Sequence, residues 1–263
     1  MIRNQILKII SISLFCLSLN KASAQEESKR KLFFRIGQQQ IHLLDEQASP
    51  ILYRGQGMQL QLGFAKQKAS HAWEYQLGFA SLVMEPSNPE LRFGEVEATT
   101  TAAHLLISYL RKLTSKGKWN WYVGGKFQQE LLLDFDAIAD FPWIFAQGGL
   151  FLQTKFDYRL NEKHDLSASL ALPIFSWLID MPYQQIPRLE GRGPDVVSVI
   201  KTGTRLSFWD SYQRVDFNLN YQYSFSPKWQ LAANYQWAWF HDREPRDLWA
   251  FQGRLSLGLS HLW

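Results

Sequence analysis

The stretch RLSLGLSHLW, residues 254–263, stands at the end of the chain. Leu255, Leu257 and Leu259 alternate with serine and glycine. Because successive side chains of a β-strand point to opposite faces, a strand here has one apolar face and one face of small or polar groups. Soluble sheets contain such strands as well. The stretch therefore predicts an amphipathic strand and leaves open what its apolar face contacts.

The same alternation continues upstream over much of the chain. Residues 58–64 (MQLQLGF), 73–79 (WEYQLGF) and 215–225 (VDFNLNYQYSF) follow a period of two, which excludes helical spacing. Several segments run for about ten residues or more, the length that a tilted strand needs to cross a bilayer, whereas soluble strands average about five to six. Since only helices and closed barrels satisfy backbone polar groups in lipid, the pattern predicts an all-β, transmembrane, antiparallel up-and-down β-barrel.

We expect about ten strands, with twelve as the alternative. One long connection, residues 179–210, interrupts the pattern, and residues 196–209 within it are long enough for another strand; we treat them as a hairpin extension or a folded loop. Residues 32–44 have no clean apolar face, and Pro173 falls within a strand, where it predicts a bulge or the end of pairing. The expected strands are residues 32–44, 55–66, 72–84, 97–111, 118–133, 146–160, 164–178, 211–225, 229–241 and 248–263.

Residues 1–24 have the features of a cleaved secretory signal peptide. An apolar run at residues 9–19 is too short to span a bilayer, and the sequence ASA at residues 22–24 predicts cleavage before Gln25. Cys16, the only cysteine, lies inside this segment, so we expect an exported chain without disulfides. The segment also contains three of the cations behind the net charge of +4, and no clustered basic face suggests nucleic acid. Residues 25–263 are expected to form a single barrel domain.

Three features carry a family resemblance: the Ala-Gln junction at residues 24–25, aromatic-rich strands joined by alternately short and long connections, and the terminal Trp263. In these features the chain resembles bacterial outer-membrane β-barrel proteins, and the junction is similar to those of Bacteroidota. The resemblance implies the outer membrane of a Gram-negative cell, contact with its lipids including lipopolysaccharide, and recognition by the barrel-assembly machinery. In this family the last strand is the assembly signal, and His261 departs from the usual apolar residue there. The matching positions are Leu255, Leu257, Leu259 and Trp263.

Charged residues of both signs are expected to point into the barrel. In a barrel of about ten strands the lumen is narrow, so we expect acids and bases to pair and to plug it. A narrow channel for small solutes is the alternative, although the charges form no ring of one sign. The expected lumen residues are Glu74, Lys126, Glu130, Lys155, Asp157, Arg159, Asp216 and Arg254.

A surface hydrolase is a second alternative, because ten-stranded barrels include the omptin proteases, in which acids and a histidine at the outer rim activate water. Asp134 and Asp136 on one loop, with His241 and Asp242 on another, are the candidate catalytic residues if they face each other across the barrel mouth. The Asp-x-His spacing of that family is absent, and no other hydrolase signature appears. The histidines are scattered, so we expect no metal site and no cofactor.

The long connection at residues 179–210 is the remaining candidate for function, because loops of this length on rigid scaffolds often bind partners. Its Tyr183, Arg188, Arg192 and Trp209 are residue types that anchor interfaces. A cap folded over the barrel mouth is the structural alternative. The sequence favours a non-enzymatic accessory or scaffold subunit of an outer-membrane protein complex, or a surface-interaction protein.

Overall fold

The computed structural model describes residues 28–46, 49–88, 90, 98–134, 143–181, 204–244 and 247–263. The expected signal peptide, residues 1–24, lies outside the described residues. Within these ranges no helix is long and apolar enough to cross a membrane. The strands are β1 (Lys29–Asp45), β2 (Ser49–Gln67), β3 (His71–Pro86), β4 (Ala98–Lys116), β5 (Trp119–Asp134), β6 (Trp143–Arg159), β7 (His164–Met181), β8 (Thr204–Ser207), β9 (Tyr212–Ser224), β10 (Trp229–Asp242) and β11 (Leu248–Leu262).

The strands form one closed antiparallel barrel. Each strand from β1 to β7 pairs with the next, β9 pairs with β7 and β10, and β11 pairs with both β10 and β1. The pairing of β1 with β11 joins the two ends of the chain into the wall and leaves the sheet without a free edge. The prediction of a ten-stranded barrel is confirmed, and β8 is a short eleventh strand on the same wall.

The position of β8 corrects the expected connection at residues 179–210. Thr204–Ser207 pairs with the upper part of β7, and β9 pairs with the lower part of β7. β8 and β9 therefore act as one wall strand interrupted by a turn at residues 208–211. Residues 204–207 therefore belong to the barrel wall and do not form a projecting hairpin. The turn at residues 208–211 is a four-residue insertion in an otherwise continuous strand.

The two rims of the barrel differ. One rim, here the short-turn rim, contains both chain ends of the sheet and the connections at residues 68–70, 117–118, 160–163 and 225–228. Gly117 occupies the tightest of these with a φ of 60°, a conformation that L side chains adopt only with strain. The opposite long-loop rim has long connections from β3 to β4, β5 to β6 and β7 to β8, and shorter ones at residues 46–48 and 243–247. Short turns on one side and long loops on the other are typical of outer-membrane barrels.

Two local expectations concern Pro173 and the first strand. The pairing of β6 with β7 shifts register where Phe151 faces Pro173 and Leu150 faces Phe175, so the expected bulge at Pro173 is present. The first strand has no clean apolar face, as its sequence indicates. Its outward side chains are apolar near the short-turn rim and polar farther up: Leu32, Phe34, Ile36, Gln38 and Gln40.

The outside of the barrel is an apolar belt between two groups of aromatic side chains. Near the short-turn rim Trp73 packs on Tyr109 with ring centroids 4.5 Å apart, and Trp119 packs on Tyr158 at 4.2 Å. Between the two groups lie exposed aliphatic side chains such as Leu257, which is 66% exposed. A belt of this kind requires apolar surroundings, as the wall of a membrane-spanning barrel does. The aromatic side chains toward the long-loop rim include Phe127, Trp177, Trp237, Trp239, Trp249 and Phe251.

Candidate functional site

The half of the lumen next to the long-loop rim is filled with apolar side chains, here called the apolar plug. Nine of the ten wall strands contribute at least one side chain, and the tenth, β2, packs Tyr53 against the plug. The rings of Phe145 and Phe240 stack with centroids 5.7 Å apart, and Tyr212 packs on Phe240 at 6.2 Å. The plug consists of Ile41, Leu43, Ala80, Leu82, Met84, Ala102, Leu132, Phe145, Leu178, Tyr212, Phe240, Leu248 and Ala250, with Tyr53 packed against it. The plug therefore fills this level of the described lumen with packed apolar side chains.

A cluster of five charged side chains, here called the ionic cluster, lies below the plug. Glu130 accepts hydrogen bonds from Arg214 at 2.7 Å and from Arg254 at 2.8 Å. Asp216 accepts a hydrogen bond from Arg214 Nε at 2.6 Å and forms an ion pair with Lys126. Each of these five charged groups has at least one partner of opposite charge within the cluster, which is what allows charge to remain in a buried site.

The ionic cluster crosses the full width of the barrel. Glu130 lies on β5 and Arg254 lies on β11, and these two strands are five places apart in either direction around the wall. Gln39 and Gln252 accept further hydrogen bonds from Arg254, at 3.2 Å and 3.1 Å. Gln147 donates a hydrogen bond to Glu130 and accepts one from the hydroxyl of Tyr212, a member of the plug. The plug and the cluster are thus connected through side-chain hydrogen bonds.

A cavity of about 70 Å³ remains beside the ionic cluster. Glu74, His104, Lys126, Asp216 and Arg254 are among the side chains that line it. The cavity is large enough for ordered water, and polar side chains in its lining can hydrogen-bond that water.

The remaining lumen residues expected from the sequence lie toward the short-turn rim. Lys155 pairs with Asp157 at 3.1 Å, and Arg159 pairs with Asp165 at 3.4 Å. Sequence reasoning missed Arg214, although it lies two residues from Asp216 and therefore shares its inward face. It missed Arg35 as well, because the faces of the first strand were not recognised.

The candidate catalytic residues do not come together among the described side chains. His241 faces outward on β10, where its Nε2 lies 3.1 Å from Asp247 Oδ1. Asp242 faces inward, is 1% exposed and forms an ion pair with Arg205. Asp134 ends β5, and Asp136 lies outside the described residues. Within the described ranges no group of three or more His, Cys, Asp or Glu side chains could hold a metal ion.

One of the four loop candidates lies in the described part of the chain. Trp209 is exposed in the turn at residues 208–211, next to the equally exposed Phe208, and Leu206 of β8 is exposed just above them. These three side chains form an apolar projection on the outer wall, here called the 206–209 projection. Tyr183, Arg188 and Arg192 lie outside the described residues.

The terminal strand has the geometry expected of an outward apolar wall. Leu255, Leu257 and Leu259 are exposed on the outside of β11. The backbone of Trp263 exchanges two hydrogen bonds with Arg30, at 3.0 Å and 3.1 Å, which extends the pairing of the chain ends beyond β11. The indole ring packs on Phe64 with centroids 6.1 Å apart, in the aromatic group near the short-turn rim.

No protein-family description and no curated protein matches this sequence. Among solved structures, the outer membrane protease OmpT from Escherichia coli is 8% identical, with 92% of this chain and 99% of that chain covered at a TM-score of 0.51. The beta domain of the Bordetella autotransporter BrkA is 10% identical, with 90% and 100% covered and a TM-score of 0.42. The translocator domain of the autotransporter NalP from Neisseria meningitidis is 12% identical, with 98% and 95% covered and a TM-score of 0.40.

At these identities the likeness to OmpT concerns the fold alone, and it does not transfer an activity. The fold and the exposed apolar belt between two aromatic groups agree with each other, because both belong to a barrel that crosses a lipid bilayer. The chain has the fold of an outer-membrane β-barrel protein.

Proposed function

We propose that this chain is a non-enzymatic outer-membrane β-barrel that serves as an accessory or scaffold subunit, or as a surface-interaction protein, through its long-loop side. The packed lumen is the observation that supports the proposal. The apolar plug and the ionic cluster occupy successive levels of the interior. The barrel would therefore be a rigid support whose exposed surfaces bind a partner.

The runner-up function, a narrow channel for small solutes, needs a continuous hydrated path. In the plug, Leu82, Leu178 and Phe240 are fully buried. A solute would have to displace packed side chains and then separate buried ion pairs, both of which are costly. Neither layer contains a ring of one charge that would select an ion.

A rim hydrolase finds little support in the described side chains. A general base must lie within hydrogen-bond reach of the group that it activates. His241 and Asp242 point to opposite faces of β10, and the carboxylate of Asp242 is already paired with Arg205. These positions favour structural roles for both residues.

The proposed route to the membrane rests on the sequence. Residues 1–24 would direct export, and Leu255, Leu257, Leu259 and Trp263 would be read by the barrel-assembly machinery, as in Bacteroidota-like barrels. The wall would then contact outer-membrane lipids, including lipopolysaccharide, and the protein would have no role with nucleic acid.

The 206–209 projection is the described surface that suits a protein partner. It presents Leu206, Phe208 and Trp209 on the outside of the long-loop half, at the only wall strand that is interrupted within the described ranges. Exposed apolar and aromatic side chains of this kind anchor interfaces when a partner buries them.

Two measurements on the purified barrel test the proposal. In planar bilayers the barrel should give no stepwise ionic current, and a steady single-channel current would overturn the argument from the packed lumen. Gentle extraction from native membranes should recover a stoichiometric companion protein, and the variant Leu206→Ser/Phe208→Ser/Trp209→Ser should lose that companion. The control is Trp119→Ser, an exposed tryptophan at the opposite rim, which should keep it. Recovery of a lone barrel from both the unmodified protein and the Trp119→Ser control would contradict an accessory role.

A further inference from the structure

A group of cations lies at the short-turn rim, on the outside of β2 to β4. Lys66 is an outward residue of β2, and Lys68 begins the turn that follows this strand. Arg111 is an outward residue of β4, and so is Lys116, which is in register with the exposed Trp119. Within the described part of the chain, the side chains of these four cations form no ion pair and no hydrogen bond. We call Lys66, Lys68, Arg111 and Lys116 the cationic patch.

The cationic patch lies at the level of the aromatic group near that rim. Lys66 is in register with Trp73, and Trp73 is in register with Tyr109. Arg111 lies two residues beyond Tyr109 toward the rim, opposite His71. Rings with a polar N–H or O–H prefer the headgroup level of a bilayer, where the hydrocarbon meets water. The register of the strands therefore places the cations among the headgroups, outside the hydrocarbon layer.

The outer wall of the described barrel presents no acid opposite the patch. The neighbour of Lys66 on β1 is Arg30, which is a further cation. The carboxyl group of Trp263 lies across β1 from Lys66, beside Arg30, and Glu162 lies in the turn between β6 and β7. Glu74 of β3 points into the lumen, where it lines the cavity. Like charges opposite each other on neighbouring strands are unfavourable, so an anion from outside the chain stabilises this arrangement.

The other end of the same strands has a different charge pattern. Arg54 is also an outward residue of β2, and it is in register with Glu85 of β3. At the long-loop rim an acid and a base thus lie opposite each other. At the short-turn rim the partners of Lys66 in register are Trp73 and Arg30. The strands β1 to β3 therefore pair opposite charges at one rim and leave cations unpaired at the other.

We propose that the cationic patch binds the phosphate headgroups of anionic phospholipids in the leaflet at the short-turn rim. Lysine and arginine side chains donate charge-assisted hydrogen bonds to phosphate oxygens, and the planar guanidinium group of arginine does so through two N–H groups at once. Basic clusters next to a membrane-spanning segment attract anionic lipids. This inference requires a barrel that crosses a bilayer, and it does not depend on the packed lumen or on a companion at the 206–209 projection.

A lipid fits this surface better than a soluble anion does. The rings of Trp73 and Tyr109 pack with centroids 4.5 Å apart directly beside Lys66, and Leu113, two residues beyond Arg111, is exposed. These groups give the cations an apolar surface on which the glycerol backbone and the first acyl carbons of a lipid can lie. A free phosphate ion would use the charges alone and would leave that apolar surface in contact with water.

The lipid selectivity of the reconstituted barrel tests the proposal. The barrel is placed in phosphatidylcholine vesicles with a trace of spin-labelled phosphatidylglycerol or of spin-labelled phosphatidylcholine, and the spectra give the fraction of each label held at the wall. The unmodified barrel should hold phosphatidylglycerol about threefold or more over phosphatidylcholine at low salt, and added salt should reduce this preference. Equal retention of the two labels would overturn the proposal.

A pair of double variants assigns the preference to the patch. Lys66→Gln/Arg111→Gln removes two charges from the wall and should lower the preference for phosphatidylglycerol by about half or more. The matched control is Arg54→Gln/Arg243→Gln, which removes two exposed charges at the long-loop rim and should keep the preference. An equal loss from the two double variants would mean that the net charge of the barrel attracts the lipid, and the patch would not be a binding surface.

A charge-preserving exchange separates lipid binding from folding. Lys66→Arg/Arg111→Lys keeps both charges and should retain the preference, and heat-modifiable migration on gels should show that every variant folds. A folded Lys66→Gln/Arg111→Gln barrel with an undiminished preference would contradict the proposal. Loss of a companion protein from that variant on gentle extraction, with no change in lipid preference, would instead assign the patch to a protein partner.

Discussion

The two layers of the barrel interior hold the wall together by different physics. The apolar plug draws on nine of the ten wall strands and gains its stability from area removed from water, which has no preferred direction. The ionic cluster uses five side chains from three strands, each in a directed hydrogen bond or ion pair. The plug should therefore lose stability in small steps on substitution, whereas the cluster should lose much of its stability when one partner is removed.

The largest expected effect is at the centre of the ionic cluster. Glu130→Ala removes the acceptor of both Arg214 and Arg254 and leaves two buried guanidinium groups short of a counter-charge. Breaking a buried ion pair from one side costs about 3–5 kcal/mol of unfolding free energy. Urea unfolding of the barrel in lipid vesicles, followed by tryptophan fluorescence, measures this loss.

Glu74→Ala is the matched control for that prediction. Glu74 is an inward glutamate that lines the cavity but forms no ion pair within the described residues. Its removal should cost far less than that of Glu130. Equal losses of unfolding free energy from the two variants would show that inward carboxylates stabilise the barrel by charge balance alone. The special sensitivity expected of the ionic cluster would then be contradicted.

A smaller effect is expected in the apolar plug. Ile41→Val removes one methylene from a fully buried side chain, which costs about 0.5–1.5 kcal/mol through lost transfer energy and a small cavity. The same unfolding experiment measures it. Ile36→Val, on the same strand but facing outward, is the control and should leave stability nearly unchanged. A loss from Ile36→Val as large as that from Ile41→Val would mean that the plug is not tightly packed.

The smallest effect is expected at the short-turn rim. The side chains of Arg159 and Asp165 are 64% and 39% exposed, so water screens their pairing. Arg159→Ala should cost about 0–1 kcal/mol, and added salt should reduce even that. A loss of unfolding free energy comparable to that of Glu130→Ala would contradict the expected difference between buried and exposed ion pairs, because burial would no longer separate strong pairs from weak ones.

The sequence predicted the barrel because lipid-facing strands alternate cleanly over most of their length. The plug was harder to predict, since both faces are apolar near the long-loop rim, as in residues 131–133 and 143–145, and the alternation fades there. β8 was missed for a related reason: four residues are too few to show a period of two against an irregular connection.

The ionic cluster was predictable in its members but not in its pairs. Parity alone places Glu130, Asp216 and Arg254 on inward faces, and it would have placed Arg214 there too. Which acid meets which base depends on how strands are staggered around the closed wall. That stagger is a property of the whole sheet, and no local stretch of sequence contains it.

The pair between Glu130 and Arg254 has a consequence for the order of folding. The two residues are 124 positions apart, and Arg254 arrives with the last strand. Contacts between such distant positions form late, because the intervening chain must first be ordered. Until β11 docks, Glu130 accepts from Arg214 alone, so a barrel that has not yet closed also lacks the ion pair that crosses its centre. The final strand thus completes the wall and the interior in a single step, which disfavours long-lived, partly closed forms.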